Sequence, residues 1–118
     1  MNRQPFATQI RHRDGHPIID MAGDLDGSGD DVLEAAISAA ENEHRGLVIL
    51  NFREVGFMTS KGIALLVREL LRAQQNGYRL AAYGLSPHYQ EIFDITRLSE
   101  HILLFEDEQS ALGAQLSV

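Results

Sequence analysis

The stretch of sequence that decides the fold is Leu47-Val48-Ile49-Leu50-Asn51-Phe52-Arg53-Glu54-Val55-Gly56-Phe57-Met58-Thr59-Ser60-Lys61-Gly62-Ile63-Ala64-Leu65-Leu66. It opens with an apolar run from Leu47 to Phe52, which is typical of a strand buried on both faces of a parallel sheet. After a loop over residues 53–59, apolar residues recur at the spacing of one helix face, namely Ile63, Leu66, Val67, Leu70 and Leu71. The stretch therefore predicts a central strand followed by an amphipathic helix that begins near Ser60.

Upstream of this stretch, the sequence predicts a hairpin and a first helix. Residues 6–12 and 16–22 have the patterns of two strands, and Arg13-Asp14-Gly15 supplies the turn between them. The glycine-rich segment 23–29 breaks the strand pattern. The residues that follow are apolar at helical intervals: Val32, Leu33, Ala36, Ile37 and Ala40.

Downstream, the elements continue to alternate. A strand is predicted at 79–83, a helix opened by Ser86-Pro87, a last strand at 101–105 and a final helix opened by the acidic run 106–108. The order β-β-α-β-α-β-α-β-α predicts an α/β fold, with a mixed, mostly parallel sheet of about five strands packed with about four helices. With no repeat or linker in 118 residues, we expect a single domain over 1–118.

The composition excludes several classes of function. The chain has no cysteine, so disulfides, thiolate nucleophiles and cysteine zinc sites are excluded. A formal charge of −7, without a cluster of basic and aromatic residues, argues against a nucleic-acid partner. No apolar run reaches the length of a membrane span, and the first residues lack the layout of a secretory signal. We therefore expect a cytoplasmic protein with no membrane partner.

The central stretch resembles the STAS family of anti-sigma factor antagonists. In that family a buried strand leads to an aromatic residue, an apolar residue, Asp-Ser-Ser/Thr-Gly and a leucine-rich helix; here the tetrapeptide is Thr59-Ser60-Lys61-Gly62, preceded by Phe57-Met58. Weaker matches, in the family's order and spacing, are Gly23-Asp24-Leu25-Asp26, Gly77-Tyr78-Arg79-Leu80 and Ile92-Phe93-Asp94-Ile95-Thr96-Arg97-Leu98. The resemblance covers nearly the whole chain.

This resemblance implies a STAS domain that acts as a partner-switching regulator of transcription and is not an enzyme. The family's serine, which a partner kinase phosphorylates to release the bound anti-sigma factor, falls on Ser60. The implied partners are an anti-sigma factor that is also a serine protein kinase and a phosphoserine phosphatase, with no cofactor and no metal. The residues expected to form the binding surface are Asp24, Asp26, Phe57, Met58, Thr59, Lys61, Gly62 and Leu65.

Two residues depart from the family pattern, because Thr59 replaces the aspartate and Lys61 replaces the hydroxyl residue. These departures keep a second function open: a STAS scaffold or ligand-sensing module that is never phosphorylated. Lys61 is also a cation at the positive end of a helix, where it is electrostatically disfavoured. It is either solvated, or paired with Glu54, Asp24 or a phosphate on Ser60.

Ser60 has a structural explanation beside the functional one. A serine at a helix start can cap the helix by accepting a hydrogen bond from an amide in the first turn, an interaction worth about 1 kcal/mol. Phe57 and Met58 also have a structural explanation, since their apolar side chains can pack over the end of the sheet. If Met58 or Leu65 is instead exposed beside Ser60, it marks the apolar centre of an interface.

The loop 23–31 suggests two other kinds of site, and neither is complete. As a calcium loop it has Asp24, Asp26 and Ser28 at alternate positions, but Ala35 stands where the closing bidentate acid is required. As an Asp-x-Asp-Gly phosphatase motif it lacks the larger fold that carries a lysine and further acids. We interpret the loop as a bend in which Ser28 or Asp30 caps the next helix. The histidines lack metal-binding spacing: His12, His16, His44, His88 and His101.

Overall fold

The computed structural model describes residues 4–43 and 46–113, and five strands within them form one mixed sheet. The strands lie side by side in chain order; the first is antiparallel to the second and the others run parallel. They are β1 (Ala7–Arg13), β2 (His16–Leu25), β3 (Leu47–Met58), β4 (Arg79–Tyr83) and β5 (Leu103–Phe105).

Helices cover the two faces of this sheet unequally. They are α1 (Asp30–Glu41), α2 (Ser60–Gln75), α3 (Pro87–Ile95) and α4 (Glu108–Gly113). The first three share the main core with one sheet face, whereas Ala111 and Leu112 of α4 pack on the other face in a smaller cluster with Ile18, Ile49 and Tyr83. The α/β class, the element order and the mixed sheet predicted from the sequence are confirmed.

The central strand is longer than predicted. β3 runs to Met58, whereas the sequence placed its end at Phe52 and a loop over residues 53–59. The physical reason is nonlocal, since β2 also continues to Leu25 and pairs with the added residues in a parallel register that shifts twice along its length. The strand extension carries the backbone directly to the start of α2.

The last two elements begin later than predicted. β5 starts at Leu103, because His101 belongs to the end of the 3-10 turn Leu98–Glu100. α4 starts at Glu108, since the Asp107 side chain accepts a hydrogen bond from the Ser110 amide at 2.8 Å and so acts as a cap. Neither change alters the order of the elements.

Helix α2 is held to α1 by charged side chains. Arg72 donates two hydrogen bonds of 2.9 Å to the Glu41 carboxylate, and Arg68 pairs with Asp30 at the start of α1. Arg68 also donates to Glu69, which is almost completely buried, at 3.0 Å. Because a buried carboxylate is costly without a cationic partner, these contacts fix the position of α2.

Candidate functional site

The candidate site lies where β3 ends and α2 begins. Ser60 is the first residue of α2 and is exposed. The residue before it caps the helix: Thr59 has extended backbone angles, and its Oγ1 accepts a hydrogen bond from the Gly62 amide at 3.0 Å. The prediction that Ser60 caps this helix is therefore wrong. Two adjacent hydroxyl residues were available, and the backbone changes from extended to helical after the first of them.

A close backbone contact joins the start of α2 to the end of β2. The Thr59 amide donates to the Leu25 carbonyl at 3.0 Å. A Cβ built on Gly62 would lie 2.0 Å from the same carbonyl oxygen, so only glycine fits at this position. Gly62 is buried, and its part in the predicted binding surface is corrected to a packing role.

This contact places an acidic segment beside the start of α2. We call it the acidic loop; it comprises Asp24 at the end of β2 and Asp26 just after the strand. Asp24 pairs with Phe57 in the β2–β3 register, and its carboxylate accepts a hydrogen bond from the Gln4 amide at 3.1 Å. Asp26 accepts hydrogen bonds from the Ser28 amide, at 2.9 Å, and from the Ser28 hydroxyl. Asp26 therefore caps the 3-10 turn Gly27–Gly29, and the interpretation that Ser28 or Asp30 caps here is wrong.

The three apolar residues of the predicted surface separate into two groups. Phe57 is 49% exposed, whereas Met58 is 4% and Leu65 is 8% exposed. Met58 and Leu65 belong to the main core, because the alternation of β3 and the inner face of α2 direct them there. Their prediction as surface residues is wrong, and Phe57, three residues before Ser60 in the chain, remains as the exposed apolar side chain of the three.

Lys61 is exposed and its side chain lies along the acidic loop. A Cβ built on Gly27 would come within 2.9 Å of the Lys61 Cδ, so the aliphatic part of Lys61 covers that glycine. Within residues 4–43 and 46–113, no ion pair joins Lys61 to Glu54 or Asp24. A hydrogen bond from Arg68 and, more weakly, the charge of Lys61 lower the pKa of Asp30.

The sequence analysis did not identify Tyr89 as a support of this site. Its hydroxyl, presented by α3, accepts a hydrogen bond from the Met58 amide at 2.8 Å. Tyr89 is buried, and a buried tyrosine hydroxyl needs a polar partner. That requirement was the only sign in the sequence that Tyr89 would form a hydrogen bond, and it did not indicate which backbone group would be the partner.

In the part that the structure describes, no three histidine, aspartate or glutamate side chains are grouped so that they could hold a metal ion. None of the described helices has the length and apolar character needed to cross a bilayer. The geometry is that of an exposed hydroxyl on a rigid helix start, bordered by an acidic loop and one exposed aromatic ring.

Comparisons with known proteins agree with this fold. An anti-sigma F factor antagonist from Paenibacillus polymyxa is 23% identical over 108 residues, which cover 88% of this chain and 90% of that protein. The crystal structure of an anti-sigma factor antagonist from Mycobacterium paratuberculosis superimposes with a TM-score of 0.79 at 20% identity, with 93% of each chain covered. The Bacillus cell fate determinant SpoIIAA, in its phosphorylated form, has a TM-score of 0.66 at 22% identity, covering 88% of this chain and 96% of that one.

The family match extends well beyond the strand and helix around Ser60. The sequence pattern of the STAS domain matches residues 7–111, from the first strand into the last helix. The chain belongs to the STAS domain family.

Proposed function

We propose that this protein is a partner-switching anti-sigma factor antagonist controlled at Ser60. In its unmodified form it binds an anti-sigma factor that is also a serine kinase, and thereby frees a sigma factor. The kinase transfers the γ-phosphoryl group of ATP to the Ser60 Oγ, which loses its proton, and ADP leaves. The phosphorylated protein releases its partner, and a phosphoserine phosphatase restores the binding form.

The observation that carries this proposal is the availability of the Ser60 hydroxyl. Ser60 is exposed, and Thr59 does the capping, so phosphorylation would break no structural hydrogen bond between described residues. A phosphoserine carries about −1.5 to −2 charges at neutral pH. The positive end of the helix accommodates that charge, so the fold would persist while the surface becomes more negative.

The proposed binding surface is centred on Ser60 and is smaller than the one predicted from the sequence. It comprises the exposed ring of Phe57, the Lys61 side chain and two partly exposed acids, Asp24 at the end of β2 and Asp26 just after it. Thr59 borders it through its half-buried side chain. An aromatic group surrounded by polar residues is a common composition for the centre and rim of a protein interface.

The relatives support this proposal. The Paenibacillus polymyxa protein is named an anti-sigma F factor antagonist, and one of the similar solved structures is a phosphorylated form of SpoIIAA. For this chain we correspondingly propose a regulator that acts by binding a partner, without catalysis and without a cofactor. We also propose that it acts in the cytoplasm as a single domain over residues 1–118.

Thr59 and Lys61 favour a second candidate, a STAS scaffold or ligand-sensing module that is not phosphorylated. Lys61 puts a positive charge where the family pattern has a hydroxyl, and Thr59 removes the acid before the serine. In this candidate the same surface binds a partner without a switch.

Incubation with the anti-sigma factor kinase of the same organism and ATP, followed by mass spectrometry of the intact protein and its peptides, tests the proposal. One phosphate on Ser60 is expected, with none on Ser60→Ala and an unchanged yield on the control Ser110→Ala, an exposed serine of α4 on the other face of the sheet. An unmodified Ser60 after exhaustive incubation would favour the scaffold function.

A further inference from the structure

The structure contains an apolar groove that starts at Ser60 and leads away from the acidic loop. It has a volume of about 460 Å³ and lies between α2 and the segment that follows α3. One wall is formed by Ser60, Ile63, Ala64 and Val67, and the other by Thr96, Arg97, Leu98 and His101. None of the residues assigned to the switch other than Ser60 lines it.

The wall on α2 continues past the groove as an outward-facing apolar stripe. Ala64 is exposed, Ile63 and Val67 are half-buried, and Leu71, one turn beyond Val67, is 54% exposed. The charged residues Arg68 and Arg72 lie elsewhere on the helix, where they are committed to α1. Solvent-facing positions of a surface helix are normally polar, so an exposed stripe of this kind marks an interaction surface.

The opposite wall contributes a positive charge. Arg97 has left-handed backbone angles, with φ of 65°, and its side chain is 82% exposed. Its one carboxylate neighbour among the described residues is Glu100, at 3.4 Å and itself largely exposed. The amino-terminal end of α2, with its partial positive charge, closes the groove at Ser60. In a chain with a net charge of −7, this groove therefore suits an apolar segment that carries acidic groups.

The shape of the groove favours a helix as its occupant. Both walls are helical or turn segments whose backbone groups are already hydrogen-bonded, for example Thr96 to Ile92 at 3.0 Å, so an added strand would find no open sheet edge there. From Ser60 to Leu71 the stripe spans twelve residues, or about 16 Å at the helical rise, which matches about three turns of a docked helix.

We infer that this groove, the α2–Arg97 groove, receives an amphipathic helix of the partner anti-sigma factor. The apolar face of that helix packs on Ala64, Val67 and Leu71, and an acidic residue meets Arg97. The inference rests on the proposed function, because the groove begins at the phosphate acceptor. A phosphate on Ser60 would stand at the end of the groove and repel the acidic side chains of the docked helix.

Binding to the purified anti-sigma factor kinase, measured by calorimetry, tests the inference. Ala64→Glu puts a charge on the α2 wall of the groove, and we expect it to weaken binding by about tenfold or more, as for other interface anchors. Arg97→Glu should weaken binding through charge reversal. The matched control is Ala39→Glu, an exposed alanine on α1, which should leave the affinity within about twofold of wild type. Leu71→Glu provides a second variant at an exposed position if Ala64→Glu does not fold.

A photo-crosslinker in place of Leu71 identifies the occupant. We expect crosslinks to one helix of the kinase that contains acidic residues. Wild-type affinity for Ala64→Glu and Leu71→Glu, while Ser60 is still phosphorylated, would overturn the groove and leave the proposed function standing. Failure of the wild-type protein to bind or be phosphorylated would overturn the proposed function itself. Crosslinking to a second copy of this chain would also overturn the inference.

Discussion

Replacing Gly62 with alanine tests the close approach of α2 to β2, on which the position of Ser60 depends. The added Cβ would lie 2.0 Å from the Leu25 carbonyl oxygen and 2.7 Å from its carbon. Since carbon and oxygen atoms approach comfortably to about 3.3 Å, the start of α2 must move outward by about 1.3 Å. Both colliding atoms are backbone, so no side-chain rotation relieves the contact.

The expected loss of stability is the sum of three effects. Overpacking of this kind costs about 2–3 kcal/mol, and stretching the hydrogen bond from Thr59 to Leu25 costs about 1 kcal/mol. Alanine in place of glycine within a helix returns about 1 kcal/mol. The net destabilisation is therefore about 2–3 kcal/mol, or about 10 °C in melting temperature for a chain of this length.

Chemical denaturation and thermal melting followed by circular dichroism measure this change. Gly113→Ala is the matched control, because nothing lies within 4 Å of a Cβ at that position, and its stability should change by less than about 0.5 kcal/mol. If Gly62→Ala were as stable as wild type or more stable, the contact between α2 and Leu25 would be refuted.

Three further predictions concern two supports of the site and the ion pairs that join α4 to β1 on the other side of the sheet. Thr59→Ala removes the cap on α2 and should lower the free energy of unfolding by about 1 kcal/mol, with Thr59→Ser restoring most of it. Tyr89→Phe leaves the Met58 amide without its hydrogen bond and should cost about 1–3 kcal/mol in the same denaturation assay; an unchanged stability would contradict that contact. Hydrogen bonds from Arg11 chiefly, and from Arg13, lower the pKa of Glu108 from its ordinary value near 4.5 to about 2. The stability from these two ion pairs is present above pH 5 and is lost as the pH falls toward 2. Glu108→Gln should therefore make the free energy of unfolding depend less on pH over that range; an unchanged pH dependence would contradict this.

The element order could be predicted from the sequence because hydrophobic periodicity is local. The buried run from Leu47 and the helical spacing after Ser60 were enough to identify the centre of the fold. The end of β3 could not be predicted, because residues 53–58 are held in a strand by a partner extension of β2 that is distant in sequence.

The candidate site, like the fold, could be predicted from the sequence only where the signal is local. The exposed hydroxyl of Ser60 at a helix start was predictable from spacing and family resemblance. Whether Thr59 or Ser60 capped the helix, and whether Met58 and Leu65 faced the core, depended on backbone angles and packing set by Leu25 and Tyr89. The apolar stripe on α2 was not separable from its buried face, because apolar residues on both faces belong to one periodic run.

The affinity of the anti-sigma factor kinase for the protein with and without phosphoserine incorporated at Ser60 tests the central claim most directly. We predict tight binding by the unmodified form and a loss of affinity of about tenfold or more on phosphorylation, because the new charge repels the partner and must be desolvated in the complex. Equal affinities for the two forms, with both fully folded, would contradict it.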